Sequence, residues 1–226
     1  AGHSLGEYSA LVAAGSLDFA EAVVLVQKRG LYMQEAVPEG AGAMAAILGG
    51  ELDGIRDTCA RVSAELGEPV GVANYNCPGQ VVISGAKAAV EAATLALKPV
   101  KSRMLAVSAP FHCALMLPAE ERLATELAAA NFQDPSFPII NNVDAERVST
   151  AAAARDGLRR QVSRSVRWQQ GVERMIAEEG ISTFVEIGPR GLLLGMIKRI
   201  DGAPARLVVE NPETVEAARA ALDAAR

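Results

Sequence analysis

Histidine is almost absent. There are two in 226 residues, His3 and His112. A Cys/His metal cluster is excluded, and any imidazole chemistry must fall to one of these two. Cysteine is scarce too. Cys59, Cys77 and Cys113 are odd in number and unclustered, which points to a reducing cytoplasm and no structural disulfide. Aromatic residues make up 4% of the chain, so the core is expected to be built of Ala, Val and Leu, with closely packed helices. There is no basic run. With 22 Lys and Arg against 27 Asp and Glu the net charge is −5, which argues against nucleic acid as a main partner. No apolar stretch approaches the length of a membrane span, and no signal-peptide pattern is present. Half of the residues are apolar, enough for one large domain or for one domain carrying a smaller insertion.

The chain opens on a motif. Gly2-His3-Ser4-Leu5-Gly6 has the form G-x-S-x-G. Such a serine sits on a sharp turn between a strand and a helix, where its hydroxyl is presented to substrate. The reading holds that a side chain at either glycine would collide with neighbouring elements. The Leu5 N–H then lies at a helix N-terminus, placed to stabilise an oxyanion. Leu5–Ala14 is good helix material closed by Gly15. The strand that the motif predicts before the serine has only Ala1 and Gly2 to form it here.

A second helix is predicted from Asp18 to about Ala36, where Asp18 and Glu21 resemble a capping box. Ala22, Val26, Arg29 and Met33 fall on one face of it. Arg29 is thus a cation in an apolar stripe. A snorkelling side chain fits this pattern, and so does a guanidinium held in a pocket to receive a carboxylate. From residue 43 to 108 the pattern reads β-α-β-β-α-β, a ferredoxin-like α+β arrangement inserted into a chain of different rhythm. Its elements are Met44–Leu48, Glu51–Leu66, Val70–Tyr75, Gln80–Ser84, Lys87–Leu97 and Lys101–Val107, with a turn at Cys77-Pro78-Gly79. Asn74 and Asn76 read as residues flanking that turn. Residues 1–42 and 109–226 then form a discontinuous α/β domain. In its second part a short strand at Pro138–Val143 and strands at Thr183–Ile187 and Arg206–Val209 alternate with helices, up to a last helix from Pro212 onward. That alternation predicts a parallel, helix-covered sheet.

A serine needs a base at neutral pH. His3 adjoins Ser4, and neighbours at such a turn point apart. His112, in a loop after Pro110-Phe111, is the candidate. Asp134 and Asp144 are possible orienting carboxylates, but neither lies in a motif. Gly188-Pro189-Arg190-Gly191 precedes a helix and suggests an anion cradle. It lacks the Gly-Lys-Ser/Thr of a P-loop, and a tight strand-to-helix turn is the preferred reading.

Several stretches together resemble one family, the malonyl-CoA:acyl carrier protein transacylases and the related acyltransferase domains of fatty acid and polyketide synthases. They are Gly2 to Tyr8, Lys28-Arg29-Gly30 with Met33-Gln34, Gly42 to Gly49, Asn74 to Gly85, Pro110-Phe111-His112, Asn141-Asn142-Val143 and Glu186-Ile187-Gly188-Pro189. They run the length of the chain in the family's order. The resemblance implies an α/β-hydrolase-like domain with a ferredoxin-like insertion. It implies Ser4 as the acylated nucleophile, His112 as its base, the Leu5 N–H in the oxyanion hole, and the Gln161 carbonyl as the group that orients the histidine. Arg29 would hold the malonyl carboxylate, with Asn74, Met33 and Phe111 at the acyl pocket. Malonyl-CoA is then a substrate, acyl carrier protein the partner that supplies phosphopantetheine, and no resident cofactor or metal is expected. A cytoplasmic monomer completes the expectation. Cys113 stands where the family more often has Ser. The family also carries, ahead of the serine turn, several core strands and helices and a Gly-Gln-Gly-like motif with a second oxyanion donor. The 226 residues begin after that point, so an N-terminally truncated chain is expected. The competing readings are a serine thioesterase or hydrolase, and an inactive module.

Overall fold

Asp18 fixes the start of the second helix, because its carboxylate accepts from the N–H groups of Ala20 (2.8 Å) and Glu21 (3.3 Å). Glu21 does not complete a capping box. Its carboxylate accepts instead from the Asn131 N–H at 3.3 Å, which ties the helix start to a distant loop. The computed structural model describes residues 1–224, in two compact units, Ala1–Gly171 and Val172 onward.

The first unit begins with α1 (Gly6–Ala13) and α2 (Phe19–Glu35). Then follow β1 (Gly42–Leu48), α3 (Leu52–Leu66), β2 (Val70–Cys77), β3 (Gln80–Ala86), α4 (Lys87–Ala96) and β4 (Lys101–Met104). The four strands form one antiparallel sheet in the order β2-β3-β1-β4. Strand alternation sends Ala45 and Ile47 into a core with Ile55 and Val62 of α3 and Val90 of α4. Met44 and Val82 face the other way, against Phe111. β4 is shorter than the predicted Lys101–Val107. The Val107 N–H bonds to the Leu105 carbonyl (3.0 Å), a tight turn that takes the chain off the ladder. The β2–β3 turn is Pro78-Gly79, so Asn74 and Asn76 do not flank it. Both are buried inside β2. A bulge between Val72 and Asn74 frees Ala73 and Tyr75 to pair with Val166 in parallel, at 2.8 and 2.9 Å.

The unit continues with α5 (Leu117–Ala129), which has Pro118 in its first turn, then β5 (Ile139–Ile140), β6 (Arg147–Val148) and α6 (Ala151–Gln161). Leu11, Leu25, Met33, Leu123, Leu127 and Leu158 share its main core. Outside it, Glu126 of α5 receives Lys28 Nζ (2.6 Å) and the Tyr32 hydroxyl (2.8 Å) from α2. β5 stops at Ile140, short of the predicted Val143. The Asn141 side chain accepts from the N–H groups of Asp144 (3.3 Å) and Glu146 (3.0 Å) and closes a turn there. The boundary between the units falls within α7 (Trp168–Ala177).

In the second unit β7 (Thr183–Ile187) pairs in parallel with β8 (Ala205–Val209), with α8 (Leu192–Ile200) between them in sequence and α9 (Pro212–Ala224) last. The helix predicted from Pro212 onward extends over residues 225 and 226, which lie outside the described residues. The Gly188–Gly191 segment is a strand-to-helix turn. Its Arg190 N–H meets a carboxylate of the chain itself, Glu210 (3.0 Å), as does the Leu194 N–H in the first turn of α8, on Glu186 (2.8 Å). No described helix is long and apolar enough to cross a membrane.

Candidate active site

Gly2 is where the serine turn becomes tight. A Cβ built there would lie 2.0 Å from the Gly6 carbonyl oxygen and 2.1 Å from its carbon, backbone atoms that cannot swing away as a flexible side chain would. Only glycine permits that approach. The expectation fails for the other glycine of the motif. A Cβ on Gly6 would meet nothing within 4 Å, because the residue lies on an open face at the start of α1. Between them Ser4 takes φ +51°, the left-handed region that costs an L-residue roughly 1–2 kcal/mol. The turn is held from outside: Asn142 Oδ1 accepts from the Ser4 N–H at 2.6 Å, and Asn142 Nδ2 donates to the Gly2 carbonyl at 2.7 Å.

Ser4 Oγ lies 2.8 Å from His112 Nε2. His112 also has positive φ, +60°, in the loop that follows Pro110. Its Nδ1 is 2.9 Å from the Gln161 backbone carbonyl. A carbonyl only accepts, so Nδ1 carries the proton and Nε2 is left to accept the serine hydroxyl hydrogen. Burial, and after it the Arg29 charge, hold the imidazole down to about 3, so it stays neutral at neutral pH with Nε2 unprotonated. His3 turns away from the serine: its Nε2 meets Asn76 Oδ1 at 3.0 Å and its ring packs against Trp168. The two candidate carboxylates are engaged elsewhere. Asp144 pairs with Arg160 (2.6 Å), and Asp134 accepts from the Ala151 N–H (2.7 Å) at the start of α6.

Arg29 does not snorkel. It is 7% exposed, and its Nη2 donates to Ser4 Oγ (2.9 Å) and to Gln161 Oε1 (3.0 Å). No carboxylate among the described residues forms an ion pair with it, and its buried Nε has no partner. Desolvation by burial lowers its pKa, partly offset by Tyr8 and Glu7. A buried guanidinium with no direct ion pair, set beside the Ser4 hydroxyl, can receive an anion.

The Leu5 N–H carries no hydrogen bond among the described residues, and Leu5 stands at the first turn of α1. Asn74 lies buried on β2, Phe111 packs against two core clusters beside His112, and Met33 is in the main core one turn beyond Arg29 on the same face of α2. The buried Cys113 donates from Sγ to the Pro110 carbonyl (3.0 Å). An open cavity of about 740 Å³ adjoins His112, walled by Val70, Gly71, Arg164 and Arg167 among others. Among the described residues no three His, Cys, Asp or Glu side chains gather as a metal site.

Two residues of this constellation were not singled out from sequence. Glu7 is 1% exposed, and its Oε2 accepts from the Asn142 N–H and from Gln161 Nε2, both at 2.8 Å. Asn142 lies in the Asn141-Asn142-Val143 stretch, where sequence alone assigns it no role. The signal for Glu7 was available: it shares the buried face of α1 with Tyr8 and Leu11, as Arg29 shares that of α2.

Comparison with known proteins places this geometry. The family model described as acyl transferase domain matches residues 1–210. The malonyl CoA-acyl carrier protein transacylase of Salmonella typhimurium is 48% identical over 221 residues, 96% of this chain and 71% of the relative. FabD from Acinetobacter baumannii superposes with a TM-score of 0.94 at 42% identity, over 99% of this chain and 72% of that one. A malonyl-transacylase solved in complex with its type II polyketide synthase acyl-carrier protein gives a TM-score of 0.92 at 46% identity, over 96% and 70%.

Proposed function

The chain belongs to the acyl transferase domain family, and we propose that it transfers a malonyl group from malonyl-CoA to the phosphopantetheine thiol of an acyl carrier protein through a malonyl-Ser4 ester. The observation that carries this reading is Arg29, a buried cation with no ion-pair partner, 2.9 Å from the serine hydroxyl. A plain esterase has no use for such a group, whereas a dicarboxylic thioester brings the missing carboxylate. Planar guanidinium and carboxylate match in two parallel hydrogen bonds.

The steps follow from the contacts. Ser4 Oγ attacks the thioester carbonyl as its proton passes to His112 Nε2. The Gln161 carbonyl holds the imidazole through Nδ1–H and favours the imidazolium. The Leu5 N–H stabilises the oxyanion. The C–S bond breaks, and His112 returns the proton to the coenzyme A sulfur. The carrier thiol then attacks the ester by the reverse route, its proton passing to His112 and on to Ser4 Oγ. Thiol in and thiol out balance the reaction without a resident cofactor. In this reading Asn74, Phe111 and Met33 shape the acyl pocket. Residues 43–108 form a ferredoxin-like subdomain, inserted between 1–42 and 109–226, that supplies Asn74.

The test compares two fates of the ester. With malonyl-CoA and holo acyl carrier protein, malonyl-carrier product is expected to form much faster than free malonate. Malonate release at the same rate with and without carrier, and no loaded carrier, would instead make the protein a hydrolase.

A further inference from the structure

We propose that Glu7 is a positioning residue for the acyl transfer: one of its carboxylate oxygens fixes both Asn142 and Gln161, and through them Ser4, His112 and Arg29. The inference deepens the malonyl-transfer reading and rests on it for its substrate, though not for its geometry.

Gln161 divides its backbone carbonyl, its side-chain oxygen and its side-chain NH2 among different partners. Its backbone carbonyl holds His112 Nδ1 (2.9 Å), its Oε1 accepts from Arg29 (3.0 Å), and its Nε2 donates to Glu7 Oε2 (2.8 Å). The side-chain amide has two orientations. An acceptor at Glu7 Oε2 selects the one that turns NH2 toward Glu7 and oxygen toward Arg29. The flipped amide would set NH2 against the Arg29 NH2, donor against donor. Nε2 also reaches the Ser4 carbonyl (3.1 Å) and Asn142 Oδ1 (3.4 Å), both longer. Asn142 is fixed by the same atom. Glu7 Oε2 takes its N–H (2.8 Å), and its amide then holds the Ser4 N–H and the Gly2 carbonyl. A single oxygen therefore sits beneath the nucleophile, the base and the cation.

Packing alone does not call for a carboxylate here. Glu7 Oε1 is buried and makes no hydrogen bond, so the group bears the cost of desolvation for the use of one oxygen. Burial raises its pKa to about 7, against bonds from Asn142 and Gln161. With a proton on Oε1, Oε2 remains an acceptor for both partners, so the arrangement persists on either side of that value.

Three substitutions separate positioning from folding. Glu7→Gln keeps a carbonyl oxygen at the Oε2 place. Glu7→Leu keeps the bulk and removes the acceptor. Glu7→Asp keeps the charge and withdraws the oxygen by one methylene. Ser4 labelling is followed by intact mass, with malonyl-CoA, with acetyl-CoA and with a fluorophosphonate that needs the Ser4–His112 pair but no Arg29. Thermal melts establish the folded fraction. Glu7→Gln is expected within about threefold of the original in every rate, while Glu7→Leu and Glu7→Asp slow about 10- to 100-fold per folded molecule, the size of effect that a small misplacement produces. Glu7→Leu should also narrow the malonyl preference over acetyl. If Glu7→Leu does not fold, the contrast of Glu7→Asp with Glu7→Gln decides. Folded Glu7→Asp labelling at the original rate, or Glu7→Gln losing as much as Glu7→Asp, overturns the proposal. If malonyl-CoA labels no form but the fluorophosphonate ranks the variants as stated, positioning stands and malonyl transfer falls.

Discussion

At Arg29 the chain sets a guanidinium into its interior and gives it neutral partners, Ser4 Oγ and Gln161 Oε1. Removing the side chain should therefore cost the anionic substrate and spare a neutral one. Arg29→Ala is expected to lose about 1.5–3 kcal/mol of preference for malonyl-CoA over acetyl-CoA, the range for a hydrogen bond to a charged group. Matched acylation assays with the two thioesters measure it, and unchanged discrimination removes Arg29 from substrate recognition. Arg29 drew notice in the sequence as a charge in an apolar stripe, but pattern could not separate snorkelling from a pocket. The distinction lies in contacts with Ser4 and Gln161, 25 and 132 residues away. Ser4 and His112 were legible because serine chemistry needs a base and the chain offers few. Glu7 was legible only as a charge on the buried face of α1, and Asn142 not at all, because what they hold depends on bonds spanning about 135 residues.

At the scale of elements, the serine turn depends on one glycine more than the other. Gly2→Ala must push the α1 backbone aside, since its Cβ would sit 2.0 Å from the Gly6 oxygen. A loss of about 1–3 kcal/mol of stability, the usual cost of overpacking, is expected together with slower acylation. Gly6→Ala meets open space at a helix start and should stabilise by about 0.5–1 kcal/mol. Urea unfolding of the two variants checks the contrast, and equal destabilisation would refute it. Element identities were readable from periodicity, and Asp18 marked its helix start. The ends were less readable where tertiary partners decide them. Asn141 cuts β5 short with a side-chain turn, and β4 leaves its ladder at a tight turn near Val107.

For the molecule as a whole, two buried titrating groups set opposite slopes of stability with pH. Burial keeps Glu7 protonated up to about 7, against an ordinary 4.5, so the unfolded chain releases a proton first and stability falls as pH rises from 4.5 to about 7. His112 is held down to about 3 by burial and Arg29, against an ordinary 6.5. The unfolded chain binds the extra proton between those values, and stability falls as pH drops from 6.5 to about 3. Their slopes offset between 4.5 and 6.5. Glu7→Gln removes one of them. Its stability relative to the original protein should climb by on the order of 3 kcal/mol across pH 4.5 to 7 and then level off. Denaturant titrations across that range test it, and a constant difference would contradict it. The α/β class was legible at this scale from the strand–helix alternation, but the predicted parallel sheet was not formed as expected: β5 pairs antiparallel with β6, a strand the pattern did not predict, and among the described strands only β7 and β8 pair in parallel. The pairing of β5 with β6 and the parallel bridge from Asn74 to Val166 were not legible, because strand pairing is a property of the assembled chain.

The central claim is that Ser4 accepts a malonyl group. Intact-protein mass after brief exposure to malonyl-CoA, with Ser4→Ala alongside, tests it most directly. A malonyl-sized adduct on the original protein and none on Ser4→Ala is the expected result. An adduct that survives in Ser4→Ala, or no adduct on an original protein whose Ser4 still reacts with the fluorophosphonate, would contradict the account.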